Sequence, residues 1–411
     1  MNIKIRSTDE LTNTWKDAPN RWGHPLHSLA PYVGGFPPSL AHYFIKRYTT
    51  AGDTVADPMC GGGTVPLEAA LENRNGWGND LFTYAHTLSR AKCNPLQTEE
   101  LKSHLDSKIS ASDEIDNTGM KLLENDDLSI FYSDYTLDKL LRLRETLNDD
   151  SSDKTAYLNG LICGILHGPS DMFLSLQTKD TYSGSVNYVR KYAERNDLER
   201  PERDIWPNVI KNHNRANRVH VPSSLNDRTR ITQTDVRSLQ FASNSVDLII
   251  TSPPYMAKLD YTWDNWIRLW WLNADRDSER DGLDLTEDVE KYRTFMRRGL
   301  CEMYRVLKPD SFAILIVGDV RKSMANNTRT INTAGLIAEE AKNETDFEVR
   351  SVLEDSYNVE DRRYIVFNQV KYDYDDTEKD DMAMIDRCLV LEKGKPDVPE
   401  PPEIEWHSTK Y

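Results

Sequence analysis

The feature that most constrains the fold is a short apolar strand that runs into a glycine-rich turn and then into a helix. Residues 54–57 predict a buried strand, three consecutive glycines occupy positions 61–63, and an apolar helix is predicted over residues 66–72. A second strand is predicted over residues 76–80. Strand, helix and strand in this order form a βαβ unit, whose two strands lie parallel in one sheet.

The same alternation resumes in the second half of the chain. Residues 246–250 and 312–317 are continuous apolar runs, which are typical of strands buried on both faces of a parallel sheet. Later strands are predicted over residues 363–370 and 387–391. The chain therefore predicts an α/β fold built on a doubly wound sheet.

Between these two parts the pattern changes to helix. Leucines and isoleucines within residues 137–166 recur every three or four positions, and the residues after 178 are polar and basic. We therefore expect a largely helical insertion. The predicted organisation has four parts: residues 1–100 with the glycine turn, 101–230 as the helical insertion, 231–395 as the rest of the sheet domain, and 396–411 as a loose tail.

The glycine turn predicts a site for a nucleoside-containing cofactor. Glycines let the backbone approach a ligand without Cβ clashes, and the helix that follows presents free N–H groups to a negative group. Asp57 ends the first strand and Asp80 ends the second, where a carboxylate can bind a ribose diol. A tight turn without a ligand is the alternative, and the spacing differs from that of dinucleotide-binding turns.

The second chemical signal is the sequence Ser252-Pro-Pro-Tyr255, directly after the predicted strand 246–250. Two prolines fix the backbone and remove two N–H donors, which leaves rigidly placed carbonyl acceptors. An exocyclic amine of a nucleic-acid base is a weak nucleophile because its lone pair is delocalised into the ring. Acceptors for its hydrogens, with an aromatic face for stacking, would favour reaction at that nitrogen. A proline-rich turn without a catalytic role is the alternative.

Together the two motifs resemble those of the DNA amino-methyltransferases, the family of N4-cytosine and N6-adenine enzymes. Residues 57–64 (D-P-M-C-G-G-G-T) resemble the family's cofactor motif, and Ser252-Pro-Pro-Tyr255 resembles its catalytic motif in the form usual for cytosine-N4 members. Residues 27–38 resemble the segment that closes over the methionine moiety of the cofactor, with Gly35 where a basic residue is usual. The resemblance covers residues 22–95 and 231–392.

The resemblance implies a Rossmann-like methyltransferase sheet with one antiparallel strand near its end, S-adenosylmethionine as cofactor, and a flipped base as methyl acceptor. The catalytic residues that it implies are Ser252, Pro253, Pro254 and Tyr255. The cofactor-binding residues that it implies are Phe36, Pro37, Asp57, Pro58, Cys60, Gly61, Gly63, Thr64, Asp80 and Asp235. Cys60 is expected to pack within the turn and to form no covalent adduct.

Charge is distributed unevenly along the 411 residues. The formal net charge of −16 opposes binding to nucleic acid unless positive charge is concentrated locally. Residues 188–230 contain 10 Lys or Arg against 6 Asp or Glu, whereas residues 113–153 contain 12 acids against 4 bases. Contact with double-stranded DNA is therefore expected in the insertion, with a solvated helical face as the alternative. The predicted DNA-binding residues are Arg190, Lys191, Arg195, Lys211, Arg215 and Arg218, and the same basic stretch contains Arg228 and Arg230 interleaved with Tyr188, Tyr192 and Trp206.

The predicted activity is methyl transfer to the N4 amine of cytosine in duplex DNA. The alternatives are methylation of adenine N6, of RNA or tRNA, or of protein glutamine, and a catalytically inactive DNA-binding regulatory subunit. Five scattered cysteines without a CxxC pair predict neither disulfides nor a zinc site, and no metal ligand is expected. The absence of a signal peptide and of an apolar run near the ~20 residues that span a bilayer predicts a cytoplasmic protein without membrane contact. The sequence leaves open the oligomeric state and a cognate restriction endonuclease.

Overall fold

A computed structural model describes most of the chain. The described residues are 5–7, 11, 13–19, 22–115, 125–179, 181, 183–256, 260–283, 285–324, 327–357 and 384–394. The strand predicted over residues 363–370 and the tail predicted over 396–411 lie outside them. No helix in the described part combines the length and the apolar composition that crossing a membrane requires.

Most strands belong to one large sheet. The described strands are β1 (Ile5–Ser7), β2 (Thr54–Asp57), β3 (Asn75–Asn79), β4 (Thr229–Thr232), β5 (Val246–Thr251), β6 (Leu307–Gly318), β7 (Val320–Met324), β8 (Asn327–Ile331), β9 (Phe347–Tyr357) and β10 (Met384–Lys393). Eight of these described strands form a sheet in the order β1-β9-β10-β6-β5-β2-β3-β4, and β7 pairs with β8 in a separate antiparallel hairpin.

Helices connect and cover the strands. The described α-helices are α1 (Pro38–Tyr48), α2 (Thr64–Leu71), α3 (Thr83–Cys93), α4 (Thr98–Asp113), α5 (Asn125–Leu128), α6 (Asp134–Leu147), α7 (Asp153–Cys163), α8 (Val186–Arg195), α9 (Ile205–Ala216), α10 (Tyr261–Asp264), α11 (Trp266–Trp271), α12 (Arg276–Gly282), α13 (Val289–Val306) and α14 (Thr333–Glu344). Short 3₁₀ turns occur at Trp15–Asp17, Pro25–Ser28, Asn226–Arg228 and Val236–Ser238.

The strand order confirms the doubly wound α/β fold. Strand β2 pairs in parallel with β3 on one side and with β5 on the other, so the order reverses beside β2. Strand β10 runs antiparallel between β6 and β9, which is the antiparallel strand that the resemblance implied. Such a reversal opens a crevice at the carboxyl ends of the central strands, where ligands bind in open α/β sheets.

Helices α4 to α9 lie between residues 98 and 216 and share a hydrophobic core with the sheet domain. Leu140 of α6 and Leu161 of α7 belong to the same buried cluster as Leu88 of α3. Helix α7 packs directly against α3, and α9 packs against α7. The predicted division into four parts stays a prediction, but this continuous core means that α3 is supported from behind by the helical region.

Helix α2 lies directly on the backbone of β3. A Cβ on Gly76 would lie 2.0 Å from the carbonyl oxygen of Pro66, and one on Gly78 would lie 3.1 Å from Sγ of Cys60. Trp77, between the two glycines, stacks instead near Phe241, with ring centroids 5.2 Å apart. Glycines at both positions therefore let the first helix of the βαβ unit approach the sheet more closely than side chains would allow.

We predict that Gly76→Ala destabilises the protein strongly. The new methyl group would overlap a backbone carbonyl that cannot rotate away, so a loss of about 3 kcal/mol or more in the free energy of unfolding is expected. Urea unfolding followed by circular dichroism measures it. The matched control is Gly299→Ala in α13, where the nearest atom would lie 3.7 Å from the added Cβ and the helix should gain up to about 1 kcal/mol. A Gly76→Ala variant as stable as the wild type would contradict the close contact.

Candidate active site

An open cleft lies at the carboxyl ends of β2, β3 and β5. The space between its walls, open solvent included, is about 920 Å³. The residues predicted from the sequence that line it are Phe36, Asp57, Pro58, Cys60, Gly61, Thr64, Asp80, Asp235, Ser252 and Pro254. Four further predicted residues, Pro37, Gly63, Pro253 and Tyr255, do not line it. The structure therefore brings the two motifs together from positions almost 200 residues apart in the sequence.

The glycine turn is held in a conformation that other residues rarely adopt. Gly61 and Gly63 have φ angles of 48° and 75°. A Cβ on Gly63 would lie 2.9 Å from the Cα of Ser89, and one on Gly61 would lie 2.8 Å from the ring of Tyr32. Gly61 faces the cleft, whereas Gly63 begins α2 and packs against α3. Gly63 thus packs closely against α3 beneath the turn, and its cofactor-binding role stays a prediction.

Two buried carboxylates flank this turn. Asp57 accepts a hydrogen bond from the Met59 amide at 3.1 Å, and Asp80 accepts from the amides of Gly61 at 2.8 Å and Phe82 at 3.0 Å. Burial raises the pKa of Asp57 to about 7 and that of Asp80 to about 6, although these amide hydrogen bonds favour the ionised forms. Asp80 thus bridges β3 to the turn and keeps a carboxylate edge at the cleft.

Asn79, which the sequence analysis did not single out, fixes the loop that contains Thr234 and Asp235. Its fully buried amide donates to the carbonyls of Pro58 at 3.1 Å and Thr234 at 2.8 Å, and its oxygen accepts from the Thr234 amide at 3.1 Å. The next residue, Asp235, lines the cleft and forms an ion pair with Arg237, which lowers the pKa of Asp235. Asp235 therefore stays ionised at neutral pH.

In the proline motif, Ser252 is oriented by the neighbouring strand. Its Oγ lies 3.0 Å from the carbonyl oxygen of Ile316 on β6, which can only accept a hydrogen bond. The hydroxyl hydrogen is therefore used in that bond, and the Ser252 oxygen remains an acceptor on the cleft side. Oη of Tyr255 lies 3.5 Å from the same oxygen.

One wall of the cleft was not predicted from the sequence. It is lined by Gly282 at the end of α12, by Leu283 and Leu285 after that helix, and by Tyr261. Glu279 of α12 accepts a hydrogen bond from the amide of Thr83 at 3.1 Å, across 196 positions in the chain, and so ties this wall to the start of α3. No local sequence pattern signals such a pairing.

The predicted DNA-binding residues lie on helix α8 and on or just after helix α9. Arg190, Lys191 and Arg195 project from α8, are exposed, and form no ion pair with any described residue. Stacked rings of Tyr188 and Tyr192, with centroids 6.1 Å apart, lie on the same helix. Helix α8 therefore presents positive charge beside aromatic surface.

The basic residues on and after α9 are used differently. Lys211 pairs with Asp171 at 3.5 Å, and Arg218 is exposed. Arg215 donates to the carbonyl of Ser28 at 2.5 Å, and burial lowers its pKa. Arg215 thus ties α9 to the segment that leads into the cleft.

Fold and site together define a nucleoside-cofactor-binding enzyme of the methyltransferase class. The family described as DNA methylase matches residues 246–381, and a family described as RMKL-like, methyltransferase domain, matches residues 34–124. These matches confirm the resemblance to the DNA amino-methyltransferases and the expectation of S-adenosylmethionine as cofactor.

Known relatives are similar over only part of their length. The Type II methyltransferase M.MjaII of Methanocaldococcus jannaschii is 28% identical over 138 residues, which are 31% of this chain and 26% of that protein. Among solved structures, one similar protein is TTHA0409 of Thermus thermophilus, provisionally assigned as a DNA modification methylase and complexed with S-adenosyl-L-methionine. It is 18% identical, the match covers 40% of this chain and 53% of that chain, and the TM-score is 0.24. TrmN from Thermus thermophilus is 14% identical, with 90% and 52% covered and a TM-score of 0.30.

A buried hydrogen-bond network anchors the segment that carries residues 32–36 into the cleft. Glu68 of α2, with no exposed side-chain surface, accepts from Nε2 of His27 at 3.1 Å and from Nδ1 of His42 at 2.8 Å. Burial lowers the pKa of His27, so its neutral ring donates through Nε2 and leaves Nδ1 as an unpaired acceptor. Helix α2 is thereby fastened to the chain on both sides of residues 32–36, at His27 and at His42.

Among the described residues, one group of side chains has the geometry of metal ligands, and it belongs to this network. His42, Glu68 and Glu72 place ligand atoms within 4.8 Å of one another. Glu68 is already held by two histidines, and Glu72 lies 3.4 Å from Nζ of Lys46. These partners account for both carboxylates without an ion.

We predict that Glu68→Gln lowers stability at neutral pH. Two hydrogen bonds to a charged, fully buried acceptor would be weakened, with an expected loss of about 2–3 kcal/mol. The two histidine hydrogen bonds outweigh the cost of burial and lower the pKa of Glu68 to about 2. Because the folded-state pKa is depressed, this contribution is present above the unfolded-state pKa of about 4.3 and is lost as pH falls toward 2.

Urea unfolding of both proteins at pH 7, 5 and 3.5 measures the difference. The gap between wild type and variant should be widest at pH 7 and narrow at pH 3.5. The control is Glu99→Gln, an exposed residue paired with Lys102, for which a change below about 0.5 kcal/mol is expected. A gap that is independent of pH would show that the Glu68 charge is not what stabilises the network.

Proposed function

We propose that this chain transfers the methyl group of S-adenosylmethionine to the N4 amine of cytosine in duplex DNA. The observation that carries the proposal is the meeting of Ser252 and Pro254 with the glycine turn and Asp80 in one cleft. The DNA methylase family match includes the proline motif, and the serine form of that motif favours cytosine over adenine.

The residues of the cleft would bind the cofactor in a fixed orientation. Bound S-adenosylmethionine supplies the transferable methyl group as a sulfonium. Asp80 would accept from the ribose hydroxyls, because its oxygens lie at the end of β3 beside the turn. Asp235 and Phe36, on the two sides of the turn, would contact the adenine and methionine ends respectively.

Ser252 would act on the acceptor amine. Because its hydrogen is donated to Ile316, its oxygen can accept a hydrogen from the exocyclic amine of a flipped cytosine. The Pro253 carbonyl would accept the second hydrogen, and Tyr255 would stack on the base. Both acceptors draw the nitrogen lone pair out of conjugation and aim it along the line of transfer, so positioning supplies much of the rate.

DNA would reach this cleft along α8. The backbone amide of Ser183, just before α8, donates to the carbonyl of Asp264 in α10 at 3.0 Å. Helix α10 begins at Tyr261, which lines the cleft. The exposed basic side chains of α8 are thereby linked through one hydrogen-bonded contact to the place where the base would enter.

The first test of the proposal is the chemical identity of the product. Purified full-length protein is incubated with S-adenosylmethionine and either unmodified genomic DNA or total RNA, and the nucleosides are analysed by mass spectrometry. We expect N4-methylcytosine from DNA, and a loss of about 100-fold or more in kcat for Ser252→Ala. The control Ser223→Ala, on the exposed surface, should retain activity. N6-methyladenine would refute the assigned base, and product from RNA alone would refute the assigned substrate.

The second test concerns the DNA surface. Reversal of Arg190, Lys191 and Arg195 to Glu should weaken DNA binding and reduce the slope of log K against log salt by about 3, since each lost phosphate contact removes about 0.9. Binding of S-adenosylmethionine should not change. The control reverses Lys102 and Lys154, two ion-paired surface lysines on α4 and α7, and should leave the slope as it is. An unchanged slope in the α8 variant would exclude this helix from the interface.

A further inference from the structure

Lys92 of α3 is a buried cation directly beneath the glycine turn. Its side chain is 3% exposed, and its Nζ donates to the carbonyl oxygen of Gly62 at 2.6 Å. It makes no ion pair with any residue in the described part of the chain. An ammonium group in such a place is costly unless something compensates its charge.

The groups closest to Lys92 supply no negative charge. Burial raises the pKa of the thiols of Cys60 and Cys93, so both are neutral at physiological pH. Burial also lowers the pKa of Lys92 itself, to about 8, which still leaves it largely protonated near pH 7. His27 is neutral as well, since burial lowers its pKa. The positive charge below the turn therefore has no counter-charge among these neighbouring groups.

Lys92 and Ser89 act on neighbouring peptide groups of the turn. One helical turn before Lys92, Oγ of Ser89 donates to the carbonyl of Gly61 at 2.8 Å. Both carbonyls are thus drawn toward α3. In a trans peptide the N–H that follows a carbonyl points the opposite way, so the Gly62 amide is directed away from α3, toward the cleft that Gly62 lines. The Gly63 amide is already used by the carbonyl of Cys60 at 2.8 Å.

We propose that Lys92 is a positioning residue that makes the glycine turn selective for a cofactor bearing a carboxylate. Ser89 holds the peptide group that carries the Gly62 amide, and Lys92 holds the carbonyl of the next peptide group and adds its positive charge from below. This inference rests on the proposed use of S-adenosylmethionine, whose sole anionic group is the carboxylate of its amino-acid moiety. The carboxylate would accept a hydrogen bond from the Gly62 amide and would be attracted by the positive charge of the buried Lys92 ammonium. Lys92 itself does not line the cleft, so it acts through its charge and through the conformation of the turn, without contact with the ligand.

The test compares two ligands that differ only in the carboxylate. Binding of S-adenosylmethionine and of decarboxylated S-adenosylmethionine to the full chain is measured by calorimetry. The wild type should prefer the carboxylate-bearing ligand. In Lys92→Met, which keeps the length and removes the charge, affinity for S-adenosylmethionine should fall about 10-fold or more, with less than about 3-fold change for the decarboxylated ligand. In turnover, KM for S-adenosylmethionine should rise while kcat stays near the wild-type value.

Ser89→Ala is the matched variant, since it frees the peptide group that carries the Gly62 amide without removing charge. It should also lower affinity for S-adenosylmethionine more than for the decarboxylated ligand, but by less than Lys92→Met does. Equal losses for both ligands in Lys92→Met would reduce Lys92 to a purely structural residue and overturn the inference. If Lys92→Met does not fold, the wild type decides, because equal affinity for the two ligands overturns the inference as well. A wild type that binds neither ligand would instead refute the proposed function.

Discussion

The structure depends on how the polar backbone groups of one glycine turn are satisfied. A run of three glycines is costly to order because glycine loses more conformational freedom on folding than other residues. Here the turn is held from three sides: Asp80 accepts from its amide, and Ser89 and Lys92 donate to two of its carbonyls. These side chains come from the end of β3 and from α3. Fixing the turn therefore fixes the relative position of β2, α2, β3 and α3, and the cleft forms where they meet.

The sequence predicted these elements well because their signals are local. The strand over residues 54–57 has the predicted bounds, because the glycine turn follows it directly and marks its end. The two motifs meet in one cleft because both follow central parallel strands. What the sequence missed depends on distant pairs. Glu68 meets His27 across 41 positions, and Glu279 meets Thr83 across 196. No periodicity encodes such contacts, and the same holds for Arg215, whose charge resembles a DNA ligand in sequence but contacts backbone carbonyls in space.

Net charge is also a poor guide to the surface where DNA is proposed to bind. Many basic side chains form ion pairs, as Arg293 and Arg297 do with the buried Glu340. Such pairs contribute little to the potential beyond their neighbourhood. The exposed bases of α8 make no ion pair with the described residues, so they keep their full field. An acidic protein can therefore present a local positive surface, while repulsion elsewhere limits non-specific contact with phosphate.

The two ends of the cleft differ in polarity, and this difference indicates which ligand group each end would bind. At the glycine turn, Ser89 and Lys92 hold the Gly61 and Gly62 carbonyls toward α3, which leaves the Gly62 N–H and the charge of Lys92 beneath it to act on a ligand. At the proline motif the opposite holds. Two residues lack an N–H, and the hydroxyl of Ser252 donates its hydrogen to the carbonyl oxygen of Ile316. One end thus suits an anionic group and the other suits an amine. A methyl donor bound by its carboxylate at the turn would present its sulfonium toward the acceptor end, which a nucleophilic amine approaches with its hydrogens held and its lone pair exposed.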